Sequence, residues 1–474
     1  MSSKLNPFLF AIVALALSVL ACQSLLGGGT APTQEPQQLP PQESAPTEAF
    51  SQPAVEPASI TSQGSGILCA GSGTGLSCLT ENGWQVYTDE NSDLPNNYLY
   101  AGAVCPDGRI AIGHIDGVAL FDGSTFTALP EIGNFSTIDG VACAADGSIW
   151  AAHFQGVSRF ANGQWSTFGS ENLATGESAN DLVYDVKAAP DGKVWVVTSR
   201  SVTVYENDSW TIYQEGQGFN DSRFFNALAL DANGQPWAAH SGGVDRFENG
   251  VWSTIEKTEF SSPESLAVDA RGQVWFGTII DGVHVYNGST WTIYNRASNT
   301  VSSDFVTSIA GDSGGRVWFG STYGLTVFDG SNWQTYLMSN SGLGDNDLEF
   351  VVVTKDGPSL PSPEDRPPGS LTGRLEEADG TPLADAAVEI CVETLASSFS
   401  GDTPCSDQPF FLSTKTGADG SFLIENVPAG FYVIVAETGD GDWAQLVDDF
   451  GIFSERTLIQ AGQAYDVGTL TVEE

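Results

Sequence analysis

Three of the four histidines in this 474-residue sequence end short apolar runs of one kind: Ile110 to His114, Ile149 to His153 and Pro236 to His240. An imidazole titrating near neutrality serves as a general base when a substrate proton comes within hydrogen-bond reach. Equivalent runs end in Ser72, Thr198, Thr278 and Ser321, so the histidines hold one position of a repeated unit. A second polar set opens the neighbouring runs: Tyr100, Asp139, Tyr184, Asn226, Glu264, Thr307 and Glu349. Gathered at one end of a fold, they would make an acidic, tyrosine-bearing mouth. Aromatic faces for stacking, with carboxylates and amides for hydroxyl groups, suit a sugar. The plainer alternative is a row of solvated loop ends. His153 and His240 belong to units that are not adjacent, and no orienting constellation accompanies them. Non-catalytic binding is therefore expected ahead of turnover, and no catalytic residue or metal ligand is assigned.

Setting Cys22 aside, six cysteines remain. Cys69 takes the place of a repeated tryptophan and aligns opposite Cys78. Cys391 and Cys405 bracket an insertion, and Cys105 and Cys143 fall near the ends of successive inner runs. Disulfides are expected, as in an oxidising compartment, although spacing alone leaves the connectivity open. Zinc is disfavoured because neither C-x-x-C nor a Cys/His cluster occurs. Asp440-Gly441-Asp442 and Asp448-Asp449 are oxygen-rich without a full calcium-loop pattern, so they read as solvated turns. No cofactor is expected, with calcium the weak alternative.

The elements that must position these residues recur. Trp84, Phe126, Trp165, Trp210, Trp252, Trp291 and Trp333 follow one another at intervals of 42, 39, 45, 42, 39 and 42 residues. A turn marker precedes most of them by fifteen residues, for example Asp146-Gly147-Ser148-Ile149-Trp150 and Gly314-Gly315-Arg316-Val317-Trp318. Within a unit, Val317–Gly320, Gly324–Phe328 and Trp333–Tyr336 are short β-formers separated by Gly, Asp and Asn. A further run such as Val306–Ala310 precedes each turn marker. Four short strands every ~40–45 residues is the pattern of a propeller blade. Seven three-strand groups and seven inner strands are present, and the chain opens on a group and closes on the lone run Leu348–Thr354. The expectation is an all-β, seven-bladed propeller in which that run completes the first blade, leaving no open edge.

Gly315-Arg316-Val317-Trp318-Phe319-Gly320-Ser321, Gly324–Gly330 and Asn91–Asn97 resemble the two-component regulator propeller repeat, over residues ~64 to 357. The resemblance implies an extracytoplasmic sensor head of the kind found on hybrid histidine kinases, with glycans as the usual ligands. It also leaves the role of partner to a separate sensor kinase as an alternative. Some propellers are lyases with a histidine base and a metal on this face, so a lyase using the upper-face histidines is the enzymatic alternative.

Pro358 to Pro368 reads as a linker, and from 369 the repeat stops. Gly373-Arg374-Leu375, Thr416–Phe422 and Val427–Val433 resemble a carboxypeptidase regulatory-like (prealbumin-like) domain, which implies a small antiparallel β-sandwich over 369–474 and no peptidase activity. At the other end, Lys4, the apolar run Phe8 to Leu20 and Val19-Leu20-Ala21-Cys22 resemble the signal and lipobox of bacterial lipoproteins, over residues 1–22. The resemblance implies lipidation of Cys22 and attachment to the cell envelope through acyl chains. Residues 23–63 are rich in Pro, Gln and Thr, a spacer that extends up to ~130 Å. The balance of 59 Asp+Glu against 17 Lys+Arg, net −42, argues against nucleic acid, which requires a basic surface. The expected partners are the membrane, through the lipid, and a glycan or an extracellular protein.

Overall fold

The computed structural model describes residues 66–133, 137–173, 182–219, 224–240, 242–256, 263–354, 356–377, 379–392, 403–406, 408–438, 443–445 and 456–472. Cys22, the spacer and the acidic pairs at Asp440 and Asp448 lie outside them.

The described residues are all-β apart from the short helices Ser170–Leu173 and Arg296–Ser298. Its repeated unit is an antiparallel sheet whose strands lie in chain order. One example runs Val306–Gly311, Val317–Ser321, Gly324–Phe328 and Trp333–Tyr336. The turn between its first two strands shows why the Asp-Gly marker recurs. At Asp146 a carboxylate oxygen accepts the backbone N–H of Ser148 at 2.9 Å, and Gly147 adopts φ 82°, where a Cβ would be strained.

The second strand of every sheet is buried at all five positions, as in Val194–Thr198 and Val274–Thr278. Burial on both faces requires a neighbour on each side, which explains the near-continuous apolar runs there. The outermost strands alternate or stay open, as in Gln164–Phe168. Aromatic rings fill the space between sheets. Trp150 packs 5.1 Å from Tyr205 of the next sheet and 5.8 Å from Phe168 of its own.

Seven such sheets lie between Leu68 and Val353 among the described residues. The first is assembled from both ends of this stretch, because Leu348–Val353 pairs antiparallel with Leu68–Ser72. The inner strands touch in succession: Leu99–Val104, Ile138–Cys143, Val183–Ala188, Phe225–Leu230, Pro263–Val268, Val306–Gly311, Leu348–Val353, and then Leu99–Val104 again. Disulfides join Cys69 to Cys78 across one strand pair, Cys105 to Cys143 between successive inner strands, and Cys391 to Cys405 beyond.

Residues 358–366 run along the last sheet. Tyr336 Oη donates to Pro361 O at 2.7 Å, and the N–H groups of Glu364 and Arg366 donate to Asn340 O and Ser339 O at 2.8 and 2.7 Å. What reads as a linker in sequence is a strap held by the sheet. Beyond it, Ser421–Val427, Gly369–Glu377 and Ala464–Val472 form one sheet, and Phe411–Lys415, Ala387–Cys391, Gly430–Glu437 and Trp443–Gln445 form another. Leu371, Val388, Ile390, Phe422 and Ile434 form part of a common buried cluster. The expected all-antiparallel sandwich is corrected at one pair. Gly369–Glu377 runs parallel to Ala464–Val472, because the chain passes through Arg456–Ile459 of the other sheet before returning.

Candidate functional site

The register of the inner strands breaks once in every sheet, always at the same place. Between Leu99 and Ala101 the pairing skips Tyr100. Corresponding skips fall at Asp139, Tyr184, Asn226, Glu264, Thr307 and Glu349. A β-bulge leaves the extra residue out of the ladder and re-aims its side chain. The seven residues singled out in sequence are thus the seven bulge residues, all at the end where the inner strand begins.

Five of them lie near enough to influence one another's charge. Burial raises the Tyr100 phenol, with the charges of Glu349, Asp139 and Tyr98 adding to it. Tyr184 is raised by burial and then by Glu264 and Asp139. The Glu264 carboxyl is pushed up to about 7, first by burial and then by Glu349. Burial also raises Glu349, opposed by Arg456 and reinforced by Asp345. Asp139 rises through burial against a hydrogen bond from Thr137. The three carboxylates are accessible to water, yet hemmed in by enough protein to lose solvation, the condition of groups on a channel wall. Asn226 and Thr307 are half-buried at the same end, and Thr307 Oγ1 donates to Leu348 O.

The histidines are placed differently. His114, His153 and His240 are 3, 0 and 6% exposed. Their Nδ1 atoms accept the backbone N–H of Asp116, Gln155 and Gly242 at 3.2, 3.2 and 3.1 Å. Hydroxyl oxygens do the same work elsewhere: Ser72 caps Thr74, Thr198 caps Arg200, Thr278 caps Asp281 and Ser321 caps Tyr323. The repeat position therefore requires an acceptor that closes the turn after the second strand. His153 Nε2 pairs with Ser158 Oγ at 2.8 Å, and His240 Nε2 lies 3.5 Å from Asp245, both inside their own sheets. Burial pushes His153 down to about 4, so the ring is neutral at pH 7. These three ligand-binding candidates are thus buried within their own sheets, unlike the carboxylates of the inner-strand bulges. Among the described residues, no group of three or more His, Cys, Asp or Glu is arranged to hold a metal ion.

Residues of the sandwich also reach this end. Arg456 holds Asp345 through two hydrogen bonds of 2.6 and 3.2 Å and approaches Asp347 at 3.5 Å. Asp345 is fully buried and also accepts from Thr74 Oγ1 at 3.0 Å. Nearby, Phe410 of the sandwich stacks on Tyr323 in the Ser321–Gly324 turn, centroids 6.1 Å apart, with Tyr432 behind it at 5.7 Å. Sequence reading missed this contact because Arg456 lies in a segment with no repeat or motif of its own.

Residues 300–323 match the two component regulator propeller family. No curated protein matches the chain by sequence. Among solved structures, the chain is similar to a virginiamycin B lyase from Staphylococcus aureus, at 14% identity over 55% of this chain and 92% of that one, TM-score 0.44. It is similar to PorZ, a surface component of the type-IX secretion system of Porphyromonas gingivalis, at 17% identity over 82% and 63%, TM-score 0.46. A third likeness is the extracellular domain of a putative hybrid two component system from B. thetaiotaomicron, at 14% identity over 84% and 77%, TM-score 0.25. None of these likenesses bears on activity. Among the described residues no helix is long and apolar enough to cross a membrane.

Proposed function

We propose that the seven sheets are the blades of a propeller closed by Leu348–Val353, and that the propeller is a non-catalytic module binding a glycan or a protein at its mouth. The observation that carries this reading is the bulge repeated in every sheet. A scaffold alone has no need to lift seven polar residues out of the ladder at one end, and five of these share a single electrostatic environment. The turn-capping histidines are buried within their own sheets, away from any ligand at the mouth, which favours binding over turnover.

A glycan and protein array probed with the full chain tests it. The Tyr100→Ala/Tyr184→Ala pair is expected to weaken any captured ligand at least about ten-fold, the usual scale for losing aromatic anchors. His153→Ala should leave that binding intact while lowering thermal stability. A full chain that captures nothing on either array, or an affinity indifferent to both tyrosines, sinks the proposal.

The chain is further proposed to be an extracytoplasmic lipoprotein anchored by acyl groups on Cys22, with the carboxypeptidase regulatory-like sandwich as a structural partner of the propeller. The support is the Val19-Leu20-Ala21-Cys22 motif and the oxidised cysteine pairs. Cys22→Ala is expected to move the protein from the membrane to the soluble fraction on cell fractionation. Retention in the membrane pellet would refute the anchor.

A further inference from the structure

Five large apolar side chains of the propeller stand more than half exposed among the described residues: Tyr98 (56%), Phe154 (52%), Phe224 (62%), Val251 (65%) and Ile280 (67%). Four of them share the end that carries the mouth. Tyr98 and Phe224 immediately precede the inner strands Leu99–Val104 and Phe225–Leu230, while Phe154 and Ile280 sit in the turns capped by His153 and Thr278. Inner and second strands run antiparallel, with Leu99 opposite His114, so the start of one and the turn after the other lie together. Only Val251, the first residue of an outer strand, belongs to the opposite end. Scattered apolar residues need no explanation, but a set gathered around one mouth marks an interaction surface.

The chemistry of an occupant is already displayed in one sector. There the turn residue Tyr323 is covered by Phe410, and the acidic loop at Asp345 and Asp347 receives Arg456. An aromatic ring on an aromatic turn, beside a guanidinium among carboxylates, is how this face binds polypeptide within the chain itself. Elsewhere at this end, exposed apolar side chains stand beside the accessible carboxylates of Asp139 and Glu264, the same two kinds of contact. Covering them with a purely apolar partner would strip water from Glu264 and Glu349 without replacing it. A second copy of this chain, at net −42, would be repelled.

We propose that this face docks a basic polypeptide segment, its cationic side chains entering the mouth at Glu264 and Glu349 and its apolar side chains covering Tyr98, Phe154, Phe224 and Ile280. This deepens the binding reading above and rests on it.

The test titrates the purified full chain with a labelled octapeptide of alternating arginine and phenylalanine, an alternating glutamate–phenylalanine control, and a neutral glycan array. The basic peptide is expected to bind and the acidic one not, with affinity falling as salt rises from about 50 to about 300 mM. Glu264→Gln and Glu349→Gln should each weaken binding about ten-fold, and Phe154→Ser several-fold. Glu81→Gln, the same loss of charge at the opposite end, should leave it unchanged. Equal losses from Glu81→Gln and the mouth variants would mean diffuse attraction to an acidic protein and overturn the proposal. So would glycan capture that depends on Tyr100 and Tyr184 while the peptide stays silent, although the mouth would then survive as a binding site. Silence from every probe would remove both readings.

Discussion

Arg456→Ala is expected to destabilise the protein by about 3–5 kcal/mol, the cost of leaving a buried carboxylate without its partner. Asp345 has no exposed surface and holds Arg456 through both guanidinium nitrogens, a geometry lysine cannot reproduce. After the change the Thr74 hydroxyl and the Asp347 backbone N–H still donate to the Asp345 carboxylate, but its charge has lost the guanidinium that balanced it. Glu349 also loses the one positive charge that opposes its burial, so its carboxyl rises further. Arg456→Lys should fall between wild type and alanine. Arg456→Met combined with Asp345→Asn should recover much of the loss, since it buries no unpaired charge. Denaturant unfolding reads the stability, and proteolysis within 358–368 reports whether the strap has opened. A cost below about 1 kcal/mol would mean that the ion pair does not hold the sandwich to the propeller.

What was legible in the sequence was whatever each unit carries locally. The Asp-Gly turn, the tryptophan and the fully apolar second strand are written out in nearly every repeat, because every sheet must make the same tight turn and bury both faces. The entrance residues could be found for a similar reason. Asp139 between Ile138 and Gly140, or Glu264 before Ser265 and Leu266, is a polar residue where the inner strand is otherwise covered. The histidines were harder. His, Ser and Thr have in common a lone pair that can accept a backbone N–H, and that shared property was the available signal. Reading the imidazoles for their acid–base chemistry obscured it. Contacts between distant segments left no trace at all. Arg456 follows Asp345 by 111 residues, and neither neighbourhood has a pattern that names the other. The parallel strand pair in the sandwich is of this kind too, since chain direction within a sheet depends on where the intervening segment crosses.

The ring closure proposed above makes Phe350 the most informative core position, and Phe350→Ala is expected to cost about 3–5 kcal/mol. The residue lies on Leu348–Val353, the last strand laid into a sheet that begins 280 residues earlier in the chain, at Leu68. Its ring, 4% exposed, rests over Gly71 of its own sheet and Gly102 of the next. A Cβ added to either glycine would overlap the ring. One side chain therefore fills the gap between the joined ends of the propeller and the neighbouring blade. Truncating it leaves a cavity two of whose walls are glycines with no side chain to swing inward, which places the cost toward the upper part of the range. Gly71→Ala attacks the same contact by overpacking and should cost about 1–3 kcal/mol. The control is Phe411→Ala, a half-open ring on the sandwich, 38% exposed, where the loss should be small. If Phe350→Ala behaves like Phe411→Ala in thermal unfolding, Leu348–Val353 is not the strand that locks the ring. If the full cost appears, with faster unfolding and little change in folding rate, closure forms late, as expected for a pairing that spans the whole propeller.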